Sequence, residues 1–103
     1  MLSTLKKIFG STSVDLSELI NNGAVIIDVR SKDEFAAGHV KNSINIPLEQ
    51  IGAQSEKLKK HPHIIVCCRS GTRSGMAKRT LESKGLTNVT NGGSWQVVNN
   101  SIK

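Results

Sequence analysis

One stretch of this sequence carries residue types that perform covalent chemistry: Ile64-Ile65-Val66-Cys67-Cys68-Arg69-Ser70-Gly71-Thr72-Arg73-Ser74. A β-branched run ends in two thiols, and a loop of small residues with two guanidiniums follows. A helix is predicted directly behind the loop. Its unpaired N-terminal amides point at whatever the loop holds. Gly71 permits positive φ, so successive N–H groups can converge on one point. Such a setting activates a cysteine. An unperturbed thiol has a pKa near ~8.5 and is only about a few per cent thiolate at pH 7; helix N-termini and nearby cations bring reactive cysteines to about 3.5–7.5. A drop of about two pH units corresponds to roughly 2.7 kcal/mol, and one helix terminus supplies about 0.3–1 of that. Aimed amides, Arg69 and Arg73 must supply the remainder. The same cradle favours an anionic adduct on the sulfur. Cys68, at the strand's end, is the candidate nucleophile. Cys67, inside the strand, reads as a small core residue.

These side chains need a scaffold, and the rest of the chain predicts one. Asp15 and Glu18 cap a short helix over 15–22 that Gly23 stops. Ala24 to Val29 is almost wholly apolar, the pattern of a strand covered on both faces. Ser31 and Glu34 form a capping box for a helix over 32–37, before Gly38. Residues 43–46 alternate as a short strand up to Pro47. Residues 48–60 read as a helix with Leu48, Ile51 and Leu58 as apolar contacts, ended by Pro62. Ile64 to Cys67 is the second buried strand. A helix from about Ser74 to Lys84 carries Met76, Ala77 and Leu81 on one face, and Gly85 stops it. Thr87 to Thr90 is a last short strand, Gly92-Gly93 a turn, and Ser94 the cap of a final helix carrying Trp95, Val97 and Val98. Regular alternation of helix and strand argues for an α/β domain with a mostly parallel sheet. In such sheets ligands bind at the carboxyl ends of strands, where Cys68 stands.

Composition limits what else the chain can be. Its 103 residues suffice for one domain. The hydrophobic fraction of 37% is too high for simple disorder. Fourteen basic against eight acidic residues give a net charge of +6, which invites a polyanion reading. Phe9, Phe35 and Trp95 are the only aromatics, too few for a platform that stacks single-stranded bases, so no nucleic-acid partner is expected. Adjacent cysteines cannot staple distant segments, and no CxxC or HxxxH supports a zinc site, so no metal is expected. MLSTLKKIFG lacks the apolar stretch of roughly 7–15 residues of a secretory signal, and no run approaches the roughly 20 apolar residues of a membrane span. The chain therefore reads as reduced and cytoplasmic, without a membrane partner. Residues 1–12 read as an N-terminal extension in which Leu2, Leu5, Ile8 and Phe9 form the stripe of a short helix. Residues 13–103 read as the domain.

Several motifs together resemble a single-domain rhodanese, a thiosulfate-type sulfurtransferase. They are Ile27-Asp28-Val29-Arg30, Glu34-Phe35, Gly38-His39-Val40, Ile44-Asn45-Ile46-Pro47-Leu48, Cys68-Arg69-Ser70-Gly71-Thr72-Arg73-Ser74, and Gly92-Gly93 with Trp95. The resemblance spans about Val14 to Val98. It implies a three-layer α/β fold with a central parallel sheet of about five strands flanked by helices. It implies that Cys68 takes a sulfane sulfur from a small anionic donor and passes it to a thiol or cyanide-like acceptor, or to a small redox or sulfur-carrier protein. Amides of Arg69, Ser70, Gly71, Thr72 and Arg73 would hold the persulfide, and the two arginines would draw the donor. No cofactor is required, and a monomer suffices. Asp28, Arg30 and Ser74 support the site; the simplest role for the first two is ion pairing and helix capping, with Arg30 meeting Glu34. His39 is expected to bond the backbone and hold a turn. His61 and His63 carry no arguable chemistry, and Lys57, Lys59 and Lys60 read as a solvated helix face. Three departures from the usual pattern stand out: Lys41-Asn42 after the histidine, Cys67 where an aromatic is common, and a short polar final helix.

The rival reading is a cysteine phosphatase or arsenate reductase, whose signature is a cysteine, five residues, then Arg and Ser or Thr. From Cys68 only four residues precede Arg73. From Cys67 five do, but that register sets Gly71 one place late and the nucleophile inside the strand. The loop from Cys68 is too short to surround a phosphate and long enough to hold one sulfur. No aspartate in the loop can protonate a leaving group. A binding module of the same fold would ordinarily lack the nucleophile, which this chain has, while a sulfur carrier, whose Cys68 passes sulfur to a partner protein instead of a small acceptor, reads the same in sequence as the enzyme.

Overall fold

The computed structural model describes residues 15–102. The N-terminal extension and its suggested helix lie outside the described residues, as do the first two residues and the last of the expected domain. Among the described residues nine regular elements run in the order α1 (Leu16–Asn21), β1 (Val25–Asp28), α2 (Lys32–Ala37), β2 (Ile44–Asn45), α3 (Ser55–Leu58), β3 (Ile64–Cys68), α4 (Thr72–Ser83), β4 (Val89–Ser94) and α5 (Trp95–Asn100), with 3-10 turns between β2 and α3. The two apolar runs become β1 and β3, which pair in parallel from Val25↔Ile64 to Asp28↔Cys67. β2 adds outside β1 and β4 outside β3, giving a parallel sheet of four strands in the order β2-β1-β3-β4 among the described residues. The resemblance implied about five; the architecture of a parallel sheet flanked by helices is as expected.

Strand alternation sorts the core into two layers. Ile27, Val29, Ile64, Val66 and Cys68 face one side, where they pack with Ile51, Leu58 and with Ala77 and Leu81 of α4. Ile26, Ile65 and Cys67 face the other, against Val98 of α5, Val40, and Leu16, Leu19 and Ile20 of α1. Adjacent cysteines thus belong to opposite layers. The helix starts follow their caps: the Asp15 side chain accepts from Glu18 N–H, Ser31 and Glu34 form the capping box, and Ser94 accepts from Val97 N–H.

Four boundaries differ from expectation. The single helix over 48–60 is two 3-10 turns, Leu48–Gln50 and Gly52–Gln54, before α3, because Gln54 leaves helical geometry at φ −96° and ψ 1°. The strand expected over 43–46 pairs only at Ile44–Asn45. α4 begins at Thr72, ahead of Ser74, because left-handed Gly71 (φ 102°) caps it. Gly92-Gly93 is no turn. β4 runs through both residues, with Val66 opposite Asn91 and Cys67 opposite Gly93, so Gly92 is the extra residue of a bulge. A Cβ on Gly92 would stand 2.7 Å from Val98 Cγ2 and 2.9 Å from Ile65 Cγ2, so only glycine lets α5 close on the sheet there.

Candidate functional site

Cys68 ends β3, and the chain turns over its sulfur before entering α4. Two amide donors and a hydroxyl converge. The Gly71 N–H donates to Sγ at 3.0 Å, the Ser74 N–H donates at 3.4 Å, and the Ser74 hydroxyl lies 3.4 Å away. The αL conformation at Gly71 turns its amide inward. A side chain there would be strained and would press on Gly93 Cα at 3.4 Å. Burial opposes ionisation of Cys68, yet the Ser74 hydroxyl and the amides of Ser74, Gly71 and Ser70 together outweigh it and hold the thiol below its ordinary pKa. Cys67 is the opposite case. Burial first, then the Asp28 charge, pushes its thiol up to about 12, in spite of Arg30.

The loop's two cations are placed differently. Arg69 is exposed, with Ser70 and Thr72 beside it. Arg73 makes a bidentate pair with Glu34, Nη1 to Oε1 at 2.7 Å and Nη2 to Oε2 at 3.0 Å. The Arg73 pair, then the Ser31 N–H, holds the Glu34 carboxyl far below the usual range. α2 is thereby tied to the start of α4 across the mouth of the site. Sequence reasoning saw Glu34 only as a capping residue and as a partner for Arg30. It missed Asn91 altogether. That side chain, on β4, accepts from the Ser74 hydroxyl at 2.6 Å and from Gly93 N–H at 2.9 Å, and donates to the Gly71 carbonyl at 3.1 Å.

Known proteins share the sequence pattern and the fold that carry this site. The rhodanese-like domain family model matches residues 12–98. The chain belongs to that family. The senescence-associated protein DIN1 of Raphanus sativus is 38% identical over 85 residues, covering 71% of this chain and 46% of its own length. A solved rhodanese with anions from E. coli is 33% identical at a TM-score of 0.65, covering 72% of this chain and 89% of that one. The human single-domain sulfurtransferase TSTD1 is 25% identical at a TM-score of 0.67, covering 79% of this chain and 85% of that one. The chain spans about half the length of the curated relatives it first matches. At the level of the family, the chemistry is sulfur transfer.

In this rhodanese-like domain Asp28 and Arg30 form a buried clamp behind the loop. Arg30 Nε donates to Asp28 Oδ1 at 2.9 Å, and Nη2 donates to Oδ2 and to the Gly38 carbonyl, both at 2.7 Å. The guanidinium also lies over the Trp95 ring, 4.9 Å from its centroid. The expected Arg30–Glu34 pair is therefore corrected: Arg30 meets Asp28, because two residues apart at a strand end both side chains turn to one face, and Glu34 is taken by Arg73. His39 holds its turn as expected, with Nδ1 2.7 Å from the Phe35 carbonyl and its ring stacked on Phe35. Among the described residues no group of three His, Cys, Asp or Glu stands ready to hold a metal, and no helix is long and apolar enough to cross a membrane.

Proposed function

We propose that this rhodanese-like domain moves a sulfane sulfur from thiosulfate or a persulfide donor to a thiophilic acceptor through a persulfide on Cys68. The observation that carries this reading is the convergence of the Gly71 and Ser74 donors on one sulfur held below its ordinary pKa. The Cys68 thiolate attacks the outer sulfur of thiosulfate. A bond forms between Sγ and that sulfur, the donor's S–S bond breaks, and its electron pair leaves with sulfite. The new negative charge sits on the terminal sulfur, within the loop amides of residues 69–73. A thiolate or cyanide then attacks the terminal sulfur, and the pair returns to Sγ. This is a double displacement with ping-pong kinetics. Arg69, exposed at the mouth, and Arg73, aligned by Glu34, make the approach favourable to an anionic donor. The anions in the E. coli rhodanese structure support the same choice.

Placement favours the Cys68 register over the phosphatase one. Cys67 lies in the α1/α5 layer, and the amides that could bind an oxyanion surround Cys68 in the other. Incubation with thiosulfate followed by intact mass tests the reading. A gain of about one sulfur (~32 Da), lost in Cys68→Ser and kept in Cys67→Ser, is expected. Turnover of an aryl phosphate without that gain would overturn it.

A further inference from the structure

Asn91 stands outside the loop on the exposed side of β4, yet its side chain bonds only to residues around the sulfur. Two backbone partners assign the two ends of its amide. The Gly93 N–H donates to Oδ1 at 2.9 Å, and Nδ2 donates to the Gly71 carbonyl at 3.1 Å. The oxygen end therefore faces Ser74, 2.6 Å from its hydroxyl. Ser74 has one hydroxyl proton, and at that distance the proton goes to Asn91. The same hydroxyl oxygen lies 3.4 Å from Cys68 Sγ. With its proton on Asn91 the hydroxyl oxygen can only accept from the sulfur, so it helps the thiolate only once that proton swings back. When Cys68 ionises, the proton must swing to the sulfur. That leaves two acceptor oxygens facing each other across 2.6 Å.

We infer that Asn91 is a positioning residue that competes with Cys68 for the Ser74 proton and so biases the domain toward its sulfur-loaded form. The inference rests on the persulfide reading above. In the free thiolate the charge is on Sγ, which needs the Ser74 hydroxyl. In the persulfide the charge is on the terminal sulfur. Sγ is then bonded to carbon and sulfur, and the Ser74 proton returns to Asn91. No proton leaves Ser74 in either displacement; the hydroxyl only rotates. The competition therefore costs the empty, ionised state and spares the loaded one. The charged groups about the sulfur are Arg69 next to it in the loop, exposed, Arg73 of α4 with Glu34 of α2, and the Asp28–Arg30 pair at the end of β1, with Cys67 the other titratable group. None of them bonds Ser74 or Asn91.

The test is the pH dependence of Cys68 alkylation by iodoacetamide in the wild-type chain, Asn91→Ala, Ser74→Ala and the double variant. Alkylation needs no sulfur donor, so it reads the competition even if the persulfide reading fails. Asn91→Ala is expected to lower the pKa of Cys68 by about one unit and so to speed alkylation below that pKa by up to about tenfold. Ser74→Ala is expected to raise the pKa. Adding Asn91→Ala to Ser74→Ala is expected to change alkylation less than about twofold, because the contested proton is gone. The loaded fraction in a thiosulfate–sulfite mixture, read by intact mass, is expected to fall in Asn91→Ala. Should Asn91→Ala fail to fold, Asn91→Ser, too short to reach Ser74 and Gly93 together, is expected to shift the thiol the same way. A raised pKa in Asn91→Ala with or without the Ser74 hydroxyl would show a mere loop anchor and overturn the inference, as would no shift at all.

Discussion

Replacing Arg30 by methionine separates support from catalysis. Asp28 and Arg30 are 0% and 4% exposed, so the pair is desolvated. Its geometry is good: Arg30 donates twice to the carboxylate, once more to the Gly38 carbonyl, and caps the Trp95 ring. Methionine roughly matches the stem but leaves the Asp28 carboxylate buried without its cation. Breaking a buried pair by removing one partner costs about 3–5 kcal/mol. In a domain of this size each kcal/mol lowers Tm by roughly 4–8 °C, so even ~3 kcal/mol predicts a fall of roughly 12–24 °C. The second variant, Asp28→Asn with Arg30→Met, keeps an oxygen for the Arg30 N–H and removes the lone charge. It is expected to recover at least half of the loss. Thermal and urea unfolding by circular dichroism measure both. Sulfur loading per folded molecule, taken well below the variant's Tm, is expected to stay near wild type, because the hydrogen bonds to Cys68 come from Gly71 and Ser74 and not from this pair. A variant with near-normal Tm but no loading would refute the reasoning and put Arg30 in the chemistry. A double variant no more stable than Arg30→Met would show that lost packing, not stranded charge, sets the cost.

The other predictions concern the bulge, the mouth and the spare thiol. Gly92→Ala overlaps Val98 and Ile65 and is expected to cost about 1–3 kcal/mol, whereas Gly93→Ala meets open space and suffers only its positive φ, about 1–2 kcal/mol; a Gly92→Ala urea midpoint equal to wild type would contradict the bulge packing. Glu34→Gln is expected to destabilise the chain at pH 7. The native Glu34 pKa is depressed by Arg73, so its contribution is present above about pH 4.3, the unfolded value, and fades as pH falls. The gap between wild type and Glu34→Gln in unfolding midpoint should therefore narrow from pH 6 towards pH 2, and a gap that holds or widens would refute the pairing. Iodoacetamide at neutral pH is expected to add one group to the native protein, at Cys68, and two after denaturation, because burial keeps Cys67 protonated until about pH 12; a native adduct on Cys67, mapped by peptide mass, would reverse the assignment.

What could be read in the sequence, and what could not, follows one physical division. Val25 to Asp28 and Ile64 to Cys68 were legible because a strand buried on both faces must be apolar throughout, and few other local structures tolerate that composition. Caps at Asp15, Ser31 and Ser94 were legible because a cap and its helix are neighbours in sequence. That Cys68 rather than Cys67 meets the loop was legible for a similar reason. With a period of two, consecutive strand residues face opposite layers, and only the last one meets the loop. Glu34–Arg73 and Ser74–Asn91 join residues 39 and 17 positions apart, and no local pattern marks such pairs. Glu34 was hidden by its own success as a cap: one carboxylate serves Ser31 N–H and Arg73 together. Gly92-Gly93 misled because paired glycines signal turns, whereas here one clears room for Val98 and the other takes φ +82° within a strand. The shared consequence is that the proposed nucleophile is set by local sequence and its ionisation by distant partners. A relative could keep CRSGTRS unchanged and still differ in reactivity if the residue at the Asn91 position differed, because that side chain decides where the Ser74 proton points.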